Sequence, residues 1–114
     1  MKECKRGTHT TWERLFMAVE TLASGNGSIQ KRLCGAVLYH LCPLPVKDFP
    51  EKLQPDFKAI LDETTKVDGP NGSIEASTNA MNDEQASEVA KKIFHLYDEI
   101  ARNYCQPDLT PQRR

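Results

Sequence analysis

The sequence predicts an all-α fold, a four-helix up-down bundle with a long loop before the last helix. Three observations lead to this prediction. Apolar residues recur at spacings of three and four in four separate segments, which is the period of an amphipathic helix. Residues that cap helix starts stand before these segments, and glycines or prolines follow them.

The composition is that of one globular domain. The chain has 114 residues, of which 27% are charged and 39% hydrophobic, and its net charge is −1. This length supports a single modest core. We therefore treat residues 1–114 as one helical domain and expect residues 1–9 and 106–114 to be flexible ends.

The central helix is predicted from Ser28 to Cys42, SIQKRLCGAVLYHLC. Its apolar residues cover more than half of the helical circumference, so it should pack against neighbours on two sides. Ser28 is suited to cap its start, and Pro43 ends it because proline lacks the amide hydrogen that a helix needs. Gly35 in the middle indicates the close approach of a neighbouring helix.

The first helix is predicted to begin at a capping box, with Thr10 as the N-cap and Glu13 at the third position. Gly25 is suited to the left-handed conformation at its end. The short connection that follows makes the first two helices antiparallel neighbours. One apolar stripe should face the core, formed by Trp12, Leu15, Phe16, Val19, Leu22 and Ala23.

The third helix is predicted to begin at Asp48 as the N-cap. Pro55 conflicts with a continuous helix, so we expect either a kink or a new helix that begins there. Residues 66–82 lose the helical period, and Asp68-Gly69-Pro70-Asn71-Gly72 is a dense turn signal. A loop of this length in a small domain is functional or disordered, and a short hairpin around the turn is an alternative.

The last helix is predicted to begin at Asn82, with Gln85 completing a capping box, and to run for about 22 residues. It is the longest helix. Phe94, Leu96 and Tyr97 lie on or beside its apolar side, and together they give it more apolar surface than three shorter helices can cover. This surplus predicts contact with another protein.

The chemistry-bearing residues give no catalytic pattern. Phosphate-binding, dinucleotide-binding and zinc-protease motifs are absent from the sequence, and we predict no enzyme activity, no metal and no cofactor. Cys34 and Cys42 are expected to be buried thiols, whereas Cys4 and Cys105 lie in the terminal segments. His40 is expected to be partly buried or to contact the helix end, and a catalytic pocket at Tyr39 and His40 is the third-ranked alternative.

The near-neutral charge excludes a strong general attraction to nucleic acid or anionic membranes. No apolar run approaches the length of a membrane span, and the first residues lack the apolar core of a signal peptide, so we expect a cytoplasmic protein.

The sequence therefore predicts a small interaction or regulatory protein that binds a protein partner, with self-association as one form of this. Candidate partner-binding residues lie in the 66–82 loop and on the last helix: Asp68, Asn71, Ile74, Leu96 and Tyr97. The alternative is a nucleic-acid-binding regulator that uses the basic N-terminal arm and the start of the central helix, through Lys5, Arg6, Lys31 and Arg32. Segments such as LASGNGSIQKRL resemble small bacterial helical proteins in general character, and this resemblance implies no activity or partner.

Overall fold

All secondary structure that the computed structural model describes, over residues 6–104, is helical, with side chains described from residue 9. Five α-helices occur in this range: α1 Arg6–Ser24, α2 Ile29–Gly35, α3 Gln54–Thr65, α4 Ser73–Asn79 and α5 Asp83–Asn103. The all-α prediction is confirmed. The four-helix up-down bundle is not confirmed, because the predicted long loop contains the helix α4.

Helix α1 begins at Arg6, ahead of the predicted N-cap Thr10, which lies inside the helix. The Thr10 cap was therefore wrong. Helix α1 ends at Ser24, and the amide of Gly25 donates to the carbonyl of Thr21 at 2.9 Å. The glycine with positive φ in this turn is Gly27, at 94°, and not the predicted Gly25.

The predicted central helix is present as two continuous parts. Ser28 caps α2 by accepting a hydrogen bond from the amide of Lys31 at 3.1 Å, as predicted. From Ala36 to Leu41 the chain widens into a π-helix, in which the amide of Cys42 donates to the carbonyl of Val37. Its buried side consists of Leu33, Ala36, Val37 and Leu41.

The other flank of this central segment faces solvent. Leu38 and Cys42 are exposed, and Cys34 is half-buried. The expectation that both thiols are buried is wrong for Cys42. Helices α1, α4 and α5 cover the segment on its buried side only.

Two short 3-10 turns, Val46–Asp48 and Glu51–Leu53, occupy the predicted start of the third helix. Asp48 therefore ends a turn instead of capping a helix. Helix α3 begins at Gln54, with Pro55 in its first turn, which confirms the alternative of a new helix beginning there. The Gln54 side chain donates to the carbonyl of Phe49 at 3.0 Å.

Helix α4 lies where the sequence has no clear apolar period. The turn before it has Gly72 at a φ of 103°, and the Gly72 amide donates to the carbonyl of Gly69 at 3.1 Å. The hydroxyl of buried Ser77 accepts from the amide of Val67 at 2.8 Å, which ties α4 to the end of α3. No strand is present within residues 6–104, so the hairpin alternative is wrong.

Helix α5 begins at the predicted capping box. Asn82 accepts from the Gln85 amide at 2.7 Å, and Gln85 accepts from the Asn82 amide at 2.9 Å. Gln30 of α2 donates to the carbonyl of Met81 and to the carboxylate of Asp83, which joins the start of α5 to α2. The core stripe of α5 faces α1, α2 and α3 and consists of Ala86, Val89, Ile93, Leu96 and Ile100.

None of the helices described between residues 6 and 104 combines the length and the apolar character that crossing a membrane requires.

Candidate interaction surface

Helices α1 and α5 each carry two apolar stripes: one is buried in the core, and the second packs partly against the core and partly faces solvent. The core stripe of α1 consists of Thr11, Leu15, Ala18 and Leu22, all buried. One residue further along each helix, a second stripe repeats at the same spacing of three and four. We call these second stripes together the outer face; it consists of Trp12, Phe16, Val19 and Ala23 on α1, and Ala90, Phe94, Tyr97 and Ala101 on α5.

The outer face is continuous because the two helices pack side by side in opposite directions. The rings of Phe16 and Tyr97 are 6.3 Å apart between centroids, and further along α1 Val19 and Ala23 border the same groove as Ala90 and Phe94. Residue numbers rise on α1 as they fall on α5, so the helices are antiparallel. The contact between these two helices is extensive.

One end of the outer face is a row of aromatic rings. Trp12 stacks with Phe16 at 6.2 Å, Phe16 contacts Tyr97, and Tyr97 contacts Phe94 at 6.4 Å. Phe16 is 47% exposed and Phe94 is 46% exposed. A half-exposed phenylalanine leaves much of its ring in water, so covering both rings would release a substantial hydrophobic free energy.

The other end of the outer face is a groove of about 390 Å³. Its walls are mostly apolar side chains of α1, α2 and α5, and Ser87 and Lys91 stand at its α5 edge. The outer face therefore combines protruding rings at one end with an apolar depression at the other.

Charged side chains on α5 border both ends. Lys91 lies 3.6 Å from Glu88 at the groove end, and both side chains are largely exposed. At the ring end Asp98 accepts from Arg102 at 2.8 Å, and this hydrogen bond raises the pKa of Arg102. Exposed pairs such as these contribute little to folding stability and are available to a partner.

The predicted partner-binding residues are separated by the structure. Tyr97 is half-buried and belongs to the outer face. Ile74 and Leu96 are buried, and neither belongs to the outer face. Asp68 and Asn71 are exposed in the turn between α3 and α4.

Sequence reasoning missed Phe16 as a surface residue. It assigned all six apolar residues of the first helix to one stripe, although they form two stripes offset by one residue. The last helix has the same two stripes, offset by one residue, and this repetition is the signal in the sequence that could have separated them. A helix with apolar residues at both offsets has a wide apolar arc that one core seldom covers completely.

One of the four residues proposed for nucleic-acid binding, Arg32, makes hydrogen bonds within the chain. The Arg32 guanidinium donates to the carbonyl of Leu22 at 2.6 Å and to that of Gly27 at 3.2 Å, which holds the turn between α1 and α2. Lys31 is exposed. Lys5 lies outside the described residues, and for Arg6 the structure describes the backbone but not the side chain.

Histidine 40 lies on the π-helix and is half-buried, as expected. Its Nδ1 atom is buried and has no hydrogen-bond partner among the described residues. Burial lowers the pKa of His40, the charge of Arg14 lowers it further, and Glu20 partly opposes this. Tyr39 is 67% exposed. Its carbonyl cannot accept the usual helical hydrogen bond from residue 43, because Pro43 has no amide hydrogen, and it accepts one from the Arg14 side chain at 3.2 Å instead.

A second groove, of about 670 Å³, lies between α3 and α5. Leu53, Ile60 and Leu96 form its apolar floor, and its rim mixes both charges: Lys52, Asp56, Lys92, His95 and Glu99. Glu99 accepts from Asn103 at 3.0 Å. Tyr39 and His40 do not line this groove or the one in the outer face.

Within the part of the chain that the structure describes, no three His, Cys, Asp or Glu side chains are grouped so as to hold a metal ion. Cys4 and Cys105 lie outside that part.

Comparison of the chain with protein-family models, with curated proteins and with solved structures gives no significant match.

Proposed function

We propose that this protein is a small, non-catalytic interaction or regulatory protein that binds a protein partner through the outer face. The observation that carries the proposal is the continuous apolar face of α1 and α5, with two half-exposed phenylalanine rings beside an apolar groove. Contiguous apolar surface of this kind marks interaction sites on soluble proteins.

The form of the outer face favours a helical partner. Two antiparallel helices present their apolar side chains in rows spaced by three and four residues, and the groove runs between these rows. An amphipathic helix inserts side chains of the same spacing into such a groove. Aromatic residues are also enriched at the centres of protein interfaces.

Nucleic-acid binding remains the alternative, and the cytoplasm remains the expected location. The alternative has weaker support because Arg32 uses its guanidinium hydrogen bonds within the chain. Binding of duplex or single-stranded DNA that weakens steeply with added salt would favour it over the present proposal.

Site-specific photo-crosslinking in cells tests the proposal. A photoreactive phenylalanine analogue is placed at Phe94, and in a matched control at Tyr39, which is also an exposed aromatic residue. The carbonyl of Tyr39 accepts a hydrogen bond from Arg14, which lies about 200° around α1 from Phe16, so Tyr39 lies away from the outer face. We expect a protein adduct of discrete mass from position 94 and none from position 39.

A further variant confirms that the adduct depends on the outer face. Ala23 is exposed at the groove, so Ala23→Glu adds a charge there without disturbing the core. It should remove the adduct at position 94. Equal adducts at both positions, or an adduct that survives Ala23→Glu, would refute the proposal.

A further inference from the structure

We infer that the partner of the outer face is a second copy of this chain, bound about a two-fold axis that lies in the interface and crosses α1 and α5 at right angles. This inference rests on the proposed function. It identifies the partner that binds the outer face from three features of that face: the positions of its rings and groove, the positions of its charges, and its area.

Along the length of the helix pair α1 and α5, the rings lie towards one end and the groove towards the other, with Val19 and Phe94 at the level between them. Phe16 and Tyr97 lie on one side of the level of Val19 and Phe94, and the groove extends to the other side, towards Ala23. A two-fold axis through that level reverses the face end to end. It therefore brings the rings of each copy over the groove of the other, so the face is complementary to itself.

The charges on α5 fit the same axis. Lys91 and Asp98 lie about equally far along α5 from Phe94, in opposite directions. The axis at the level of Phe94 brings Lys91 of each copy opposite Asp98 of the other. Two such contacts of opposite charge form along the α5 side of the interface, one on each side of the axis, and they favour this register over others.

The area of the outer face places the expected association in the class of weak complexes. The face is about 17 Å long, from helix rise, and about 20 Å wide, from two helix diameters, or roughly 350 Å² per copy. The total of roughly 700 Å² is below the ~1,200 Å² of the smaller stable complexes, so the dimer is weak and reversible. We expect a dissociation constant above the micromolar range, as for weak, transient complexes.

Sedimentation equilibrium of the purified chain, from about 10 μM to about 1 mM, measures the association over the expected range. We expect the average mass to rise from one to two chains. Phe94→Asp should leave a monomer throughout, whereas the matched control Tyr39→Ser should dimerise as the parent does. Far-UV circular dichroism verifies that both variants are folded.

Charge exchange tests the proposed axis. Lys91→Glu alone places two carboxylates together at each of these two contacts, and Asp98→Lys alone places two lysines together, so each variant should dimerise about two- to tenfold more weakly. In a dimer formed by one copy of each variant, opposite charges again face each other at both contacts. We therefore expect an equimolar mixture to associate about as tightly as the parent.

Three results overturn the inference: a monomer up to the highest concentration, a dimer that survives Phe94→Asp, or a mixture of charge variants no tighter than either alone. A monomeric parent together with a discrete adduct at position 94 in cells would overturn the second copy as partner and leave the proposed function standing. A monomeric parent with no adduct at position 94 would overturn the inference and the proposed function together.

Discussion

Gly35 adjoins the junction of α2 and the π-helix, and its backbone has ordinary helical angles, φ −62° and ψ −43°. A Cβ atom added there would lie 3.7 Å from Thr21 Cγ2, which is normal van der Waals contact. The neighbouring helix α1 is therefore close, but not so close that only glycine fits. We expect Gly35→Ala to stabilise the protein.

The expected gain comes mainly from the unfolded state. Glycine in a helix interior is about 0.5–1 kcal/mol less favourable than alanine, because it loses more backbone entropy on folding. The new methyl group is half-buried against Thr21 and adds a small further gain. For a domain of this size, about 1 kcal/mol raises the melting temperature by roughly 3–6 °C.

Thermal unfolding followed by circular dichroism measures this change, and Gly25→Ala is the matched control. A Cβ atom at Gly25 would lie only 2.6 Å from the carbonyl oxygen of the same Thr21, so that variant should be destabilised. Stabilisation by Gly35→Ala alone supports the geometry. A melting temperature lowered by Gly35→Ala would refute it, because α1 would then approach more closely than the structure shows.

Phe57→Ala should lower the free energy of unfolding by about 3–5 kcal/mol, because Phe57 is fully buried and stacks on Phe49 at 4.0 Å; a loss below about 1 kcal/mol in urea titration would contradict this packing. The pKa of His40 in the folded chain is lowered from its ordinary value of 6.5, so at pH values below 6.5 the unfolded chain binds a proton at His40 more readily than the folded chain does. The free energy of unfolding therefore decreases as the pH falls below 6.5. Melting temperatures measured from pH 7.5 downwards should show this slope, and His40→Gln should reduce it; an unchanged slope would exclude His40 as its source.

Features that depend on local chemistry were predictable from the sequence. The caps at Ser28 and Asn82 were identified correctly, since a side-chain oxygen and an amide three residues later suffice to form each one. Pro55 likewise required a break, because its ring and missing amide are incompatible with the middle of a helix. The all-α class was also predictable, because the spacing of apolar residues along each segment is a local property of the sequence.

Features that depend on tertiary contacts were not predictable. Helix α4 lacks a clear apolar period, and it is held by the hydrogen bond from Val67 to Ser77, whose partners are ten residues apart. Asp48 has the chemistry of an N-cap but lies in a 3-10 turn. The sequence did identify apolar surplus on the last helix, but Leu96 is buried in the core and Phe16 completes the outer face instead.

The hydrogen bonds at the start of α5 have a consequence for the whole helix. Turning α5 by about 100° about its own axis would exchange its two apolar stripes, since they are offset by one residue. Gln30 binds both Met81 and Asp83, and the Asn82–Gln85 pair closes the first turn beside them. The hydrogen bonds from Gln30 therefore contribute, together with the buried stripe of α5, to setting the rotation of this helix about its axis.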